Sequence, residues 1–175
     1  MSSARFPVTL DGPDMTEADP RVLLLGYLDL YRETVLRKID GLPDASLRAP
    51  VHPLGWSPLA LIKHVGWVER RWVRWGFAAE RVAPEPPGGE AAEWSVRDDE
   101  PTDSVLAAYQ DEVRRSRAIV AAHDLADTAR YGGRFTAGDP APPLGRILFH
   151  LLQEYARHAG QLDVARELID GATGE

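Results

Sequence analysis

Apolar residues recur at intervals of three and four along four stretches of the chain, with turn-forming residues between them. In the first stretch Leu24, Leu28, Tyr31, Val35 and Ile39 share one helical face; Asp19-Pro20 offers a cap followed by proline at the first helical position, and Gly41 offers a left-handed end. This pattern predicts a helix ending near Asp40. Ser57-Pro58 repeats the start signal, and the stripe Leu61, Val65, Val68 and Trp72 predicts a second helix to about Ala79, with Trp72 in the core. A third, capped by Thr102, carries Val105, Leu106, Tyr109, Val113, Ile119 and Val120. The fourth and longest runs from Leu144 to about Ile169 and ends at Gly171. Residues 43–53 read as a turn-rich connection. Between 82 and 101, Pro84, Pro86, Pro87, Gly88, Gly89 and Pro101 cannot sustain a helix and predict a long loop, and a further connection spans 132–143. No alternating run of β-branched and aromatic residues argues for a sheet. The expected fold class is therefore all-α: a four-helix bundle, whose shared core stabilises helices that would be marginal alone, with connections long enough for a crossover. Residues 1–18 are expected to form an N-terminal arm, and 19–171 one domain.

Charge and composition narrow the function. Among 175 residues, Lys plus Arg total 20 and Asp plus Glu 27, a net charge of -7, which denies the domain the basic surface a nucleic-acid partner needs. Cysteine is absent, so disulfides, thiolate metal sites and a cysteine nucleophile are excluded together, and any thiol chemistry must use an external thiol. Apolar runs such as Val22-Leu23-Leu24-Leu25 are too short to span a bilayer, and Met1-Ser2-Ser3-Ala4-Arg5 lacks the apolar stretch of a signal peptide; the expected location is cytoplasmic.

The fourth helix carries the informative segment, His150-Leu-Leu-Gln-Glu154-Tyr-Ala-Arg-His158-Ala-Gly160-Gln161. Measured from the centre of the apolar face, His158 lies about 30° away, Glu154 about 70° and His150 about 110°. His158 is thus expected inside, Glu154 on the inner flank and His150 at the boundary. A carboxylate on the inner side of a bundle is costly unless paired or bound to a cation. His64, between Leu61 and Val65 on the second helix, points to the same interior. Two imidazoles and one carboxylate suit zinc or another divalent transition metal and leave coordination for water or substrate. Blander readings compete: Glu154 and His158 could be a surface pair, and His64 a core histidine bonded to a carboxylate. His150 is expected behind the ligands or at the pocket edge, and His52 and His123 in solvent. Gly160 would permit a close helix crossing or substrate approach. Arg70, Arg71 and Arg74 are expected on a solvated face, while Arg146 and Arg157 are candidates for binding an acidic substrate. Nucleophile-elbow, dinucleotide, phosphate-loop and His-Glu-x-x-His motifs are all missing.

Leu61-Ile62-Lys63-His64-Val65-Gly66-Trp67-Val68-Glu69 together with the segment from His150 to Glu167 resembles the DinB-like superfamily over about residues 20–171. More narrowly it is similar to the branch related to the mycothiol-dependent maleylpyruvate isomerase. The resemblance implies a four-helix bundle with a crossover, frequent homodimerisation, and a divalent metal, zinc first and nickel second, held by His64, Glu154 and His158. It also implies a low-molecular-weight thiol such as mycothiol or bacillithiol as cosubstrate. Many members of the branch carry histidine where this chain has Gln161, and the resemblance includes no C-terminal substrate domain, so maleylpyruvate isomerase activity itself is not carried over. The leading expectation is a metal-dependent enzyme that uses the thiol for S-transfer or isomerisation on a small electrophile, with His150, Gln161 and Arg157 around the pocket. Its alternatives are a metal-dependent hydrolase and a non-catalytic, stress-associated metal- or ligand-binding bundle. No membrane or nucleic-acid partner is expected.

Overall fold

A computed structural model describes residues 12–173, so residues 1–11 of the expected arm lie outside the described residues. Helix α1 spans Pro20–Ile39, α2 Asp44–Arg48, α3 Pro58–Glu69, α4 Thr102–Ala121 and α5 Leu144–Asp170. Strands are absent among the described residues; only two isolated bridges occur, Thr128 with Pro143 and Tyr131 with Phe135. The all-α bundle is therefore observed. Its caps form as the sequence dictates. Asp19 Oδ1 accepts from the Arg21 and Val22 amides, Ser57 Oγ accepts from the Ala60 amide, and Gly41 and Gly171 adopt φ of 75° and 77°.

Helix α1 packs chiefly along α5, and α3 chiefly along α4, with α3 also touching α5. The connections from α1 to α3 and from α4 to α5 therefore cross between the two pairs. The core between the helices is aliphatic, with Leu28, Val35, Leu61, Ile62, Val65, Ile147, Leu148 and Leu151 all at 0% exposure. A polar knot lies within it. Arg32 Nε donates to Glu69 Oε1 at 2.7 Å, Tyr155 Oη donates to the same oxygen at 3.0 Å, and Tyr109 Oη donates to the Arg32 carbonyl at 3.2 Å. These bonds tie α1, α3, α4 and α5 together at one level.

Four features depart from the sequence-based expectation. Residues 43–53 contain the short α2, whose five residues are too few to show a period. The second helix does continue past Glu69, but as a π-helix over Arg70–Phe77, with the Ala78 amide bonded to the Val73 carbonyl five residues back. The loop after it holds a 3-10 helix, Glu90–Trp94, launched by Gly88 and Gly89 at positive φ. Thr102 is the first residue of α4 rather than its cap; Pro101 precedes it, and the Thr102 hydroxyl bonds Asp44 in α2.

The arginines of the π segment correct a further expectation. Instead of lining a solvated face, Arg70 and Arg74 reach the buried Glu112 of α4, and Arg71 reaches Glu93 of the 3-10 helix. Carboxylates from distant segments fold over them, and burying each charge without such a partner would be costly.

Candidate metal centre

Helix α3 presents His64 and helix α5 presents Glu154 and His158, four residues apart and so on one face. One donor atom from each lies within 4.8 Å of the others. His158 Nε2 stands 3.3 Å from Glu154 Oε2, and the His64 and His158 ring centroids are 4.9 Å apart. Side-chain exposure follows the order expected from helical angles: 4% for His158, 12% for Glu154 and 21% for His150.

Hydrogen bonds behind the histidines fix their tautomers. His64 Nδ1 lies 2.9 Å from Glu93 Oε2, and the carboxylate accepts, so Nδ1 carries the proton and Nε2 the lone pair. His158 Nδ1 likewise donates to Gln161 Oε1 at 2.7 Å. His158 Nε2 is then buried with no hydrogen-bond partner. An orphaned basic nitrogen beside a carboxylate and a second imidazole fits a divalent cation, and the two outer bonds are the kind that orient metal-binding histidines.

Electrostatics favour the same protonation states. Burial pushes His64 down to about 4, against the upward pull of Glu154 and helped by the Arg71 charge. His158 is lowered by burial although its bond to Gln161 opposes this, and His150 is lowered by burial as well. Burial pulls Glu154 upward, but the hydrogen bond and charge of Arg157, with His150 and His158, hold it below the usual carboxylate range. Neutral imidazoles facing an ionised carboxylate are the states in which these groups bind metals.

The triad opens onto a cavity of about 720 Å³, large enough for a drug-sized ligand. Trp94 stacks on His64 with centroids 4.1 Å apart, and Trp72 lies 4.3 Å from the His150 ring. Trp72 therefore packs against the core but also forms part of the cavity wall. His150, Gln161 and Arg157 line the cavity, with Arg157 bonded to Glu154, whereas Arg146 is exposed and does not line it. His52 is exposed, but His123 is not free in solvent: its Nδ1 lies 2.8 Å from the Ile119 carbonyl and its ring meets Phe77 edge-on. Gly160 is exposed, and a Cβ there would meet nothing within 4 Å, so it mediates no close crossing.

Sequence reasoning missed Glu93, which sits in a proline-rich loop 29 residues from His64. No local period marks it. It also missed Arg134, in the connection after α4, which lines the same cavity.

A comparison with curated proteins gives no match. The family model described as mycothiol-S-transferase matches residues 23–171, which takes in all but the first three residues of α1, the whole of α2 to α5 and all three residues of the triad. The DinB-like resemblance and the helical architecture agree with that match, and the chain belongs to the mycothiol-S-transferase family.

Proposed function

We propose that this protein is a metal-dependent transferase that joins a low-molecular-weight thiol, mycothiol or a close analogue, to a small electrophile. His64, Glu154 and His158 hold the cation, with zinc the metal best suited to two imidazoles and a carboxylate. The single observation that carries this reading is the buried, unpartnered His158 Nε2 aimed at the same space as Glu154 and His64. When bound, such a cation lowers the pKa of a thiol and keeps it as thiolate, the nucleophile this cysteine-free chain cannot supply.

The chain's own residues do the rest. Glu93 and Gln161 hold the two imidazoles in the tautomer that presents Nε2. Trp94, stacked on His64, and Trp72, against His150, screen the site from water on two sides. Arg157 keeps Glu154 ionised. In the transfer a carbon–sulfur bond forms, the thiol proton passes to solvent, and the electrophile either loses its leaving group or takes up a proton at the adjacent carbon.

The test is metal content with thiol-dependent conjugation. Protein as isolated should contain about one divalent metal per chain and should conjugate monochlorobimane, releasing chloride, only when thiol is added. His158→Ala should abolish both while far-UV circular dichroism persists. Full activity in metal-stripped protein would refute the reading, and turnover of esters or amides without thiol would replace it with a hydrolase.

A further inference from the structure

Arg134 is a partly buried guanidinium for which the proposed chemistry above has no use. Its Cζ sits 4.3 Å from the centroid of the Trp72 ring and 5.9 Å from that of Trp75. Trp72 and Trp75, both on the π-helix, line the cavity together with Arg134 and give it a platform of two rings. The turn that carries Arg134 is built to reach it. Gly132 adopts φ of 106°, and a Cβ on Gly133 would lie 2.0 Å from the Trp75 carbonyl, so glycine alone lets this turn seat against the π-helix. The Arg134 amide then bonds the Trp75 carbonyl at 3.2 Å, and the Arg130 amide bonds the Phe77 carbonyl at 2.8 Å.

The other two arginines that line the cavity are already paired. Arg71 is paired with Glu93 and Arg157 with Glu154. In a second cavity of about 400 Å³, on the α4 side of α3, Lys63, Arg70 and Arg97 are paired with Glu100, Glu112 and Asp99. Arg134 has no carboxylate at ion-pair distance and no acceptor for its side-chain N–H groups among the described residues. Its electrostatic neighbours are Arg71, which repels it, and Glu90, which attracts it from beyond contact. Contact with the two rings leaves its N–H groups without an acceptor, and these form the fork that matches a carboxylate. The cavity lining holds three arginines and three glutamates, with Glu93 behind His64, so a bound dication leaves the space net positive.

We propose that Arg134, stacked on Trp72 and Trp75, is the anchor for a carboxylate carried by one of the two reactants, which orients that reactant toward His64, Glu154 and His158. This rests on the transferase reading for its role in the reaction but not for the anion site itself, because the pairing requires only Arg134 and its platform. It also moves the acid-binding role from Arg146 and Arg157, one outside the cavity and the other tied to Glu154, to a residue the sequence did not single out.

Calorimetric titration tests it with two pairs of probes: fumarate against dimethyl fumarate for the electrophile, and N-acetylcysteine against its methyl ester for the thiol. Each is titrated into zinc-loaded and metal-free protein, wild type, Arg134→Met and Arg134→Lys. In at least one pair the carboxylate should bind wild type about tenfold tighter than the ester, and R134M should erase that preference. The pair that responds identifies the reactant that carries the carboxylate. R134K, which keeps the charge but not the planar fork, should retain part of the preference, and it decides the matter alone if R134M fails to fold. Equal binding of acid and ester in both pairs, or a preference unchanged in the folded variants, overturns the proposal. Absence of thiol-dependent conjugation in wild-type protein that does show the carboxylate preference counts against the transferase reading and leaves the anion site standing.

Discussion

His64 Nδ1 lies 2.9 Å from Glu93 Oε2, and the carboxylate is buried more deeply than the imidazole it holds, at 0% exposure against 9%. Glu93 also receives Arg71 through its other oxygen. A loop residue thus orients a candidate ligand on α3 and neutralises a cation of the π-helix at once. The loop over 82–101 is part of the site's architecture rather than a cover over it.

The first prediction concerns that relationship. Glu93→Gln keeps the shape but removes the negative charge that strengthens His64 as a metal donor, and it should weaken zinc binding by about 10–100-fold. Competition with a chromophoric chelator measures this. Unchanged zinc affinity in a variant that folds normally would show that Glu93 serves Arg71 only.

On the other histidine, Gln161→Leu removes the acceptor for His158 Nδ1 and should lower zinc affinity by about tenfold or more. Gln161→Glu puts an anion behind the same nitrogen and should bind zinc at least as tightly as wild type. The opposite order of the two variants would refute the assigned tautomer.

Stability should depend sharply on Glu69. Glu69→Ala would take from the buried Arg32 its buried carboxylate partner and leave it only the partly exposed Asp29, at a cost of about 3–5 kcal/mol. Tyr155→Phe removes a single hydrogen bond to the same carboxylate and should cost about 1 kcal/mol. Urea unfolding of both variants measures the difference, and similar small effects would mean that Arg32 finds solvent or another acceptor.

Acid should destabilise the metal-free protein in a defined window. His64 is held at about 4 in the folded protein, below its ordinary value of 6.5, so between these limits the unfolded chain binds the extra proton. Stability contributed by the neutral imidazole is therefore present above pH 6.5, falls as pH drops and is lost by about pH 4. His158 and His150 shift in the same direction and add to the loss. Urea midpoints in chelator at pH 7.5, 6 and 5 should decline, and His64→Phe should flatten the decline; a flat wild-type profile would contradict it.

Backbone geometry yields a further expectation. Gly133→Ala forces a Cβ against the Trp75 carbonyl and should displace the 130–135 turn. Its amides, protected in wild type through bonds to Phe77 and Trp75, should exchange faster with solvent, while those of α1 remain protected. Equal exchange in the two proteins would show that the turn tolerates a side chain.

By itself the sequence determined the four long helices, their Asp19 and Ser57 caps, the glycine ends and the burial order of His158, Glu154 and His150. All of these follow from local rules, a period of 3.6 residues and the chemistry of helix ends, which a linear string displays. Only the tertiary structure decided that His64 reaches the pair on α5, that Glu93 stands behind it, and that Arg70, Arg71 and Arg74 are paired while Arg134 is not. Those facts depend on which distant segments meet, and the meeting is set by packing and by loops without periodicity. The π turn belongs to the same class: an α-period pattern cannot announce the one register change that sets Trp72 and Trp75 beneath Arg134.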